Sequence, residues 1–206
     1  MGIVLNDSQN LFMLQTRSNS YAFGIDNQGL VRHLYWGSRI NAMEDFEMPE
    51  LAEVSTNDPV YEITKEEFPV YGGLRYKEHC LKVTFADGTR DVAYEYVNYE
   101  IQKNEQCEEL VIILKDKHYA LVMELHYKIY EAYDLMERFV VLKNESTEVM
   151  QIEKLHSGQF HVPYEGLNFR NVHGHWGAEQ QKFVQKVDYG KIIFENRRGI
   201  SSHNHN

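Results

Sequence analysis

The sequence predicts an all-β protein, a β-supersandwich of two large, mainly antiparallel sheets. Three observations predict it. Residues 110–144 read as three consecutive strands with tight connections, a meander whose apolar faces need a second layer to cover them. Roughly a dozen short strand-like runs follow one another, separated by Gly, Asn and Asp turn signals. The 206 residues include Tyr 14, Phe 10 and Trp 2, and aromatic side chains favour strands over helices.

The elements follow in order. Residues 10–16 and 20–25 form two short strands joined by Arg17, Ser18 and Asn19. Asp26-Asn27-Gln28-Gly29 is a turn, with Asn and Gly suited to positive φ. Residues 30–36 form a strand that Gly37 ends. Residues 38–65 are acidic and poorly periodic, with Met43, Met48, Pro49 and Pro59. They read as a long loop, a kind of segment that is usually functional or mobile. Residues 68–78 follow, with Gly72-Gly73 permitting an unusual bend. Residues 81–85 and 92–102 make a hairpin about Ala86-Asp87-Gly88-Thr89.

In the meander, Met123, Leu125, Tyr127 and Ile129 alternate with Glu124, His126 and Lys128, which gives one dry face and one wet face. Residues 111–114 and 139–142 are continuous apolar runs, as expected of strands covered on both faces. Residues 150–156, 160–163 and 167–172 are further strands, and Gly174-His175-Trp176-Gly177 is a tight bend. A last hairpin pairs 183–187 with 191–195 about Asp188-Tyr189-Gly190. Residues 197–206 have no strand character. The whole of 1–206 reads as a single domain, within range for one large all-β unit.

A net charge of −10 argues against nucleic acid and against an anionic membrane surface as partners. No run approaches the ~18 apolar residues of a membrane span. The N-terminus lacks a basic region followed by an apolar core, so a cytoplasmic protein is expected. Cys80 and Cys107 fit two thiols in a reduced cell better than a disulfide. Exposed aromatics could stack on a sugar or pack an interface.

Candidate chemistry is sparse. His173 with His175, and His203 with His205, have the two-residue spacing that puts both rings on one strand face. No third ligand is evident nearby, so no metal site is expected and no cofactor. Glu66-Glu67 and Glu108-Glu109 send successive side chains to opposite faces and read as solvated charge. A retaining glycosidase needs two carboxyl groups about 5 Å apart. No nucleophile triad, P-loop, dinucleotide fingerprint or CxxC occurs. Arg75, Tyr76 and Lys77, beside the double Gly, carry donors and an aromatic ring and read as either a ligand-facing or an interface loop.

Seven segments together resemble the N-terminal domain of the glycoside hydrolase family 36 α-galactosidases. They are 12–24 (FMLQTRSNSYAFG), 30–39 (LVRHLYWGSR), 68–72 (FPVYG), 81–91 (LKVTFADGTRD), 121–139 with its HYKIYEAYDLMERF core, 174–179 (GHWGAE) and 197–206 (RRGISSHNHN). The resemblance implies a supersandwich similar in shape to galactose mutarotase, followed by a (β/α)₈ barrel that carries the nucleophile and acid/base aspartates. Residues 197–206 then read as a linker toward that barrel, which is absent from this chain. The domain itself is expected to be inactive on α-galactosides. Its implied partners are the barrel, further copies of the subunit and an α-galactoside or related oligosaccharide.

One departure stands out. Many members carry Gly-Asp-(Phe/Tyr)-Arg where this chain reads Leu74-Arg75-Tyr76-Lys77, and the family Asp resembles a sugar-binding residue. Arg75 only donates hydrogen bonds, which adds a substrate with an acetamido or acidic group, such as an α-N-acetylgalactosaminide, as an alternative to the α-galactoside. Two other readings stand beside this one. One is a free-standing carbohydrate-binding or structural module. The other is a mutarotase-like enzyme using His173 or His175 with a Glu.

Overall fold

The computed structural model describes residues 2–43, 46, 48, 65–73, 75–162, 166–188 and 190–194. Most of the loop 38–65 and all of 197–206, with His203 and His205, lie outside them. The chain packs as two compact units, residues 1–161 and 162–206.

The first unit contains two four-stranded antiparallel sheets. One runs β1 (Gly2–Asn6), β2 (Leu11–Gln15), β3 (Asn19–Ile25) and β4 (Val31–Ser38) in sequence order. The other runs β6 (Tyr94–Lys103), β7 (Glu108–Asp116), β8 (Leu121–Tyr130) and β9 (Leu135–Asn144), again in order. Between them in sequence, β5 (Leu81–Thr84) pairs with β10 (Gln151–Leu155). The partner of β6 is β7, which corrects the expected hairpin of 81–85 with 92–102: the chain turns at 86–89, but the two strands join different sheets. All these pairings are antiparallel, as short connections require.

The alternation in β8 is realised. Met123, Leu125, Tyr127 and Ile129 are buried at 0–3% exposure, while Glu124, His126 and Lys128 are half-buried on the other face. Each apolar side chain contributes about 1.5–3 kcal/mol by leaving water. They meet the inward face of the first sheet, where Phe23 stacks on Tyr127 at 4.8 Å between ring centroids. Phe12, Leu14, Phe68, Val70, Leu81 and Ile112 complete one continuous core.

β2 is buried along its whole length because a second cluster covers its other face. Leu11, Met13, Ala22 and Met43 form that cluster, with Ile40, Phe46 and Met48 packed against it. The described part of the expected loop 38–65 therefore serves as a cover for the first sheet. The Asp26–Gly29 turn forms as read. Asp26 Oδ1 accepts from the backbone N–H of Gln28 and of Leu30, and Gly29 takes φ +79°.

The second unit is a hairpin of β11 (Asn168–His175) and β12 (Ala178–Lys186). This corrects the expected last hairpin, since 191–194 is not a strand and 183–186 pairs backward with 168–171. The close approach at Gly174 explains the choice. Its φ is +154°, and a Cβ there would lie 2.4 Å from the Ala178 carbonyl, so the chain reverses at 174–177. Residues 160–162 also form no strand. β1 was not anticipated, because its five residues are too few to show a period.

Candidate functional site

The largest departure from the sequence reading is at Glu66 and Glu67. They are not solvated charge: Glu66 is 2% exposed and Glu67 0%. Their placement follows from backbone pairing. Residues 65–67 lie along the edge of β4, with His33 N–H donating to the Lys65 carbonyl at 2.7 Å and Glu67 N–H to the Val31 carbonyl at 2.9 Å. Extended backbone then sends the two side chains apart, as expected, but each enters its own buried polar cluster.

Glu67 anchors the larger cluster. The Tyr21 hydroxyl lies 2.7 Å from both of its oxygens, Tyr127 donates to Oε2 at 3.0 Å, and His33 Nδ1 lies 2.8 Å from Oε1. With the carboxylate ionised, an Nδ1–H on His33 completes that bond. Arg138, whose side chain is 5% exposed, approaches Oε2 to 3.0 Å. Its guanidinium also donates to the Glu67 and Gln159 carbonyls, at 2.6 and 2.9 Å, and lies over the rings of Tyr127 and Phe160.

Burial by itself raises the pKa of Glu67, but Arg138 and the hydrogen bonds from His33 and Tyr21 outweigh it and hold the carboxyl below its usual range. Burial and the Glu67 charge push the Tyr21 hydroxyl far up, so it remains a donor. His161, whose ring is 5.3 Å from that of His33, is shifted down by burial.

Glu66 anchors the second cluster. Arg75 Nε donates to its Oε1 at 2.8 Å and the Tyr94 hydroxyl to its Oε2 at 3.1 Å. The guanidinium of Arg75 lies over the Tyr94 ring. Arg75, singled out as a ligand-facing residue, thus has its side chain 7% exposed and turned inward. Tyr76 is 72% exposed and Lys77 half-buried. Leu74 lies outside the described residues.

Glu108 and Glu109 are half-buried too: Glu108 Oε2 accepts from the Ile3 N–H, and Glu109 Oε1 lies 2.8 Å from His126 Nδ1. His173 and His175 are exposed on the hairpin. Cys80 and Cys107 are both free thiols, and burial pushes that of Cys80 up to about 11.

Above the Glu67 cluster lies a cleft of about 270 Å³. Tyr21, Tyr127, Met136 and Arg138 line it, and Trp36 and Phe160 flank it, 40% and 51% exposed. No single stretch of sequence announces this site, because its members span residues 14–160. The legible signal was the tyrosines: a Tyr on the dry face of a strand needs a buried hydrogen-bond partner, and Glu67 is that partner.

The model of the glycosyl hydrolase family 36 N-terminal domain matches residues 29–206. A probable alpha-galactosidase G of Aspergillus terreus is 26% identical over 95% of this chain and 29% of its own length. The bifunctional alpha-galactosidase/sucrose kinase of Mediterraneibacter gnavus is 23% identical over 100% of this chain and 24% of its own. The chain therefore spans under a third of the length of these curated relatives. A crystal structure of a family 36 alpha-galactosidase from Geobacillus stearothermophilus superposes with a TM-score of 0.83, at 23% identity, over 99% of this chain and 31% of that one, which shows a shared fold. On the match over 29–206, this chain belongs to the glycosyl hydrolase family 36 N-terminal domain family.

Proposed function

We propose that this chain is the non-catalytic N-terminal domain of a retaining α-galactosidase-type glycoside hydrolase, working as a scaffold for a (β/α)₈ barrel that carries the catalytic aspartates. One observation carries the reading. The two most deeply buried carboxylates, Glu66 and Glu67, are each engaged by tyrosine and arginine donors and sealed from solvent, so neither can reach a glycosidic bond. Glu67 links β3, β4, β8 and β9, and Glu66 links the loop at Arg75 to β6. The family match, and the span of under a third of the curated relatives' length, support the same division of labour.

The loop at 75–77 has a second role in this reading. Arg75, held by Glu66, positions it, and Tyr76 and Lys77 are the groups that would meet a sugar at the barrel's site or in a neighbouring copy of a homo-oligomer. In this family member the native sugar would be a terminal α-galactoside or its 2-acetamido analogue.

The test is a chimaera in which this chain replaces the corresponding domain of the Geobacillus stearothermophilus enzyme. Hydrolysis of aryl α-galactosides by the chimaera supports the reading. A well-folded chimaera without activity would overturn it.

A further inference from the structure

We propose that residues 158–161 form a strap that closes on the first unit while His161 is neutral and lifts away when that ring takes up a proton. The strap follows β10 and belongs to no strand. A few side-chain contacts hold it in place of a ladder. The Gln159 carbonyl accepts from Arg138 at 2.9 Å, and the Phe160 ring lies 5.5 Å from that of Trp36. His161 Nε2 lies 3.1 Å from the Glu66 carbonyl, and its ring lies 5.3 Å from that of His33. A segment held by so few buried contacts opens before the sheets do.

The Glu66 contact fixes the tautomer of His161. A carbonyl only accepts, so Nε2 carries the hydrogen and a second proton must go to Nδ1. Nδ1 has no hydrogen-bond partner among the described residues. The nearby carboxylates are already engaged. Glu67 has its oxygens taken by Tyr21, Tyr127, His33 and Arg138. The Glu66 carboxylate is turned to Arg75 and Tyr94. Burial first, then His33 and Lys65, oppose a positive charge on the ring, and the Glu66 carbonyl and the Glu67 charge offset them only in part, so the closed strap holds His161 below its ordinary pKa.

In the open strap the ring returns to water and to that ordinary value, about 6.5. Closure is therefore firmest above about pH 6.5 and weakens as pH falls from there toward the closed-state value, by at most about tenfold per pH unit. Opening also lets water reach the Arg138 Nε, which Gly158 seals in the closed state with no acceptor among the described residues. Arg138 keeps its bonds to Glu67, so the sheets stay joined when the strap lifts.

The test follows Trp36 fluorescence in the 206-residue chain carrying Trp176→Phe, which leaves Trp36 as the single tryptophan. Lifting Phe160 off Trp36 should shift its emission to the red and raise acrylamide quenching as pH falls from about 7.5 to about 5, with the far-UV circular dichroism unchanged. The His161 Cε1–H resonance should titrate with the same midpoint, below about pH 6.5. His161→Gln keeps a donor for the Glu66 carbonyl but cannot titrate, and it should abolish the transition.

An emission that does not respond to pH, a transition that persists in His161→Gln, or a parallel loss of sheet signal would each overturn the proposal. A His161 midpoint that differs from the fluorescence midpoint would also overturn it, whatever the variant does.

Discussion

The Glu67 carboxylate and the Arg138 guanidinium meet at 3.0 Å with both side chains withdrawn from water, one on the edge of β4 and the other on β9. This pair ties the two sheets together through charge, beside the hydrogen bonds from Tyr127 to Glu67 and from Ser18 to Asp134. Removing one partner strands the other as a buried, uncompensated charge. Arg138→Met should therefore lower the unfolding free energy by about 3–5 kcal/mol. Tyr127→Phe removes a single donor and should cost about 1–3 kcal/mol. Urea titration followed by circular dichroism reads both values. Equal, small effects would mean that the pair does not hold the sheets.

The same pair sets the acid limit of the fold. Glu67 has a folded pKa below its unfolded value, so its contribution is complete above the unfolded pKa and lost as pH falls through the folded one. Asp134, through hydrogen bonds from Ser18, and Glu153, through Thr84 and Arg90, are held at about 2 and act with the same sign. The lowered pKa of His161 should make stability begin to fall below about pH 6.5, and the carboxylates should steepen the fall below about pH 4. Glu67→Gln should lower stability at neutral pH and flatten the acid slope. Urea midpoints across that range check both.

Gly158 lies against the Arg138 guanidinium, and a Cβ there would come within 2.9 Å of Nε and 3.0 Å of Cζ. The guanidinium is held by several hydrogen bonds and cannot swing away cheaply. Gly158→Ala should cost about 1–3 kcal/mol. In the Arg138→Met background it should cost much less, which a double-mutant cycle measures.

Arg75 invites a test of sugar specificity by Arg75→Asp, but its side chain neutralises buried Glu66. The substitution would face two carboxylates across the core and should destabilise by about 3–5 kcal/mol. Tyr76→Ala at an exposed position should change stability by no more than about 0.5 kcal/mol, while altering KM in an active chimaera. Thermal melts and kinetics on the chimaera separate the two effects.

Much of the fold was legible because strand signals are local. The β8 alternation, the Asp26–Gly29 turn and the Ala86–Thr89 turn each sit within a few residues of sequence. The last hairpin was misread because 183–187 and 191–195 looked like a matched pair, whereas the positive φ at Gly174 and Gly177 places the reversal earlier. The polar clusters were missed for a different reason. Glu67 finds partners 34, 46, 60 and 71 residues away, and adjacent glutamates in a lone sequence carry no trace of such distant donors.

Cys80 and Cys107 offer an independent check on the packing. Cys80 is buried in the first unit and its thiol is pushed up to about 11, so it should resist a thiol reagent at neutral pH. Cys107 should react first, giving one fast and one slow equivalent, with the slow one released in urea.

The most direct measurement is hydrolysis of an aryl α-galactoside by the 206-residue chain alone and by the chimaera that joins it to the remaining portion of the Geobacillus stearothermophilus enzyme. A scaffold domain predicts no turnover by the chain and restored turnover by the chimaera. Turnover by the isolated chain, abolished by Glu67→Gln in a variant that still folds, would contradict it.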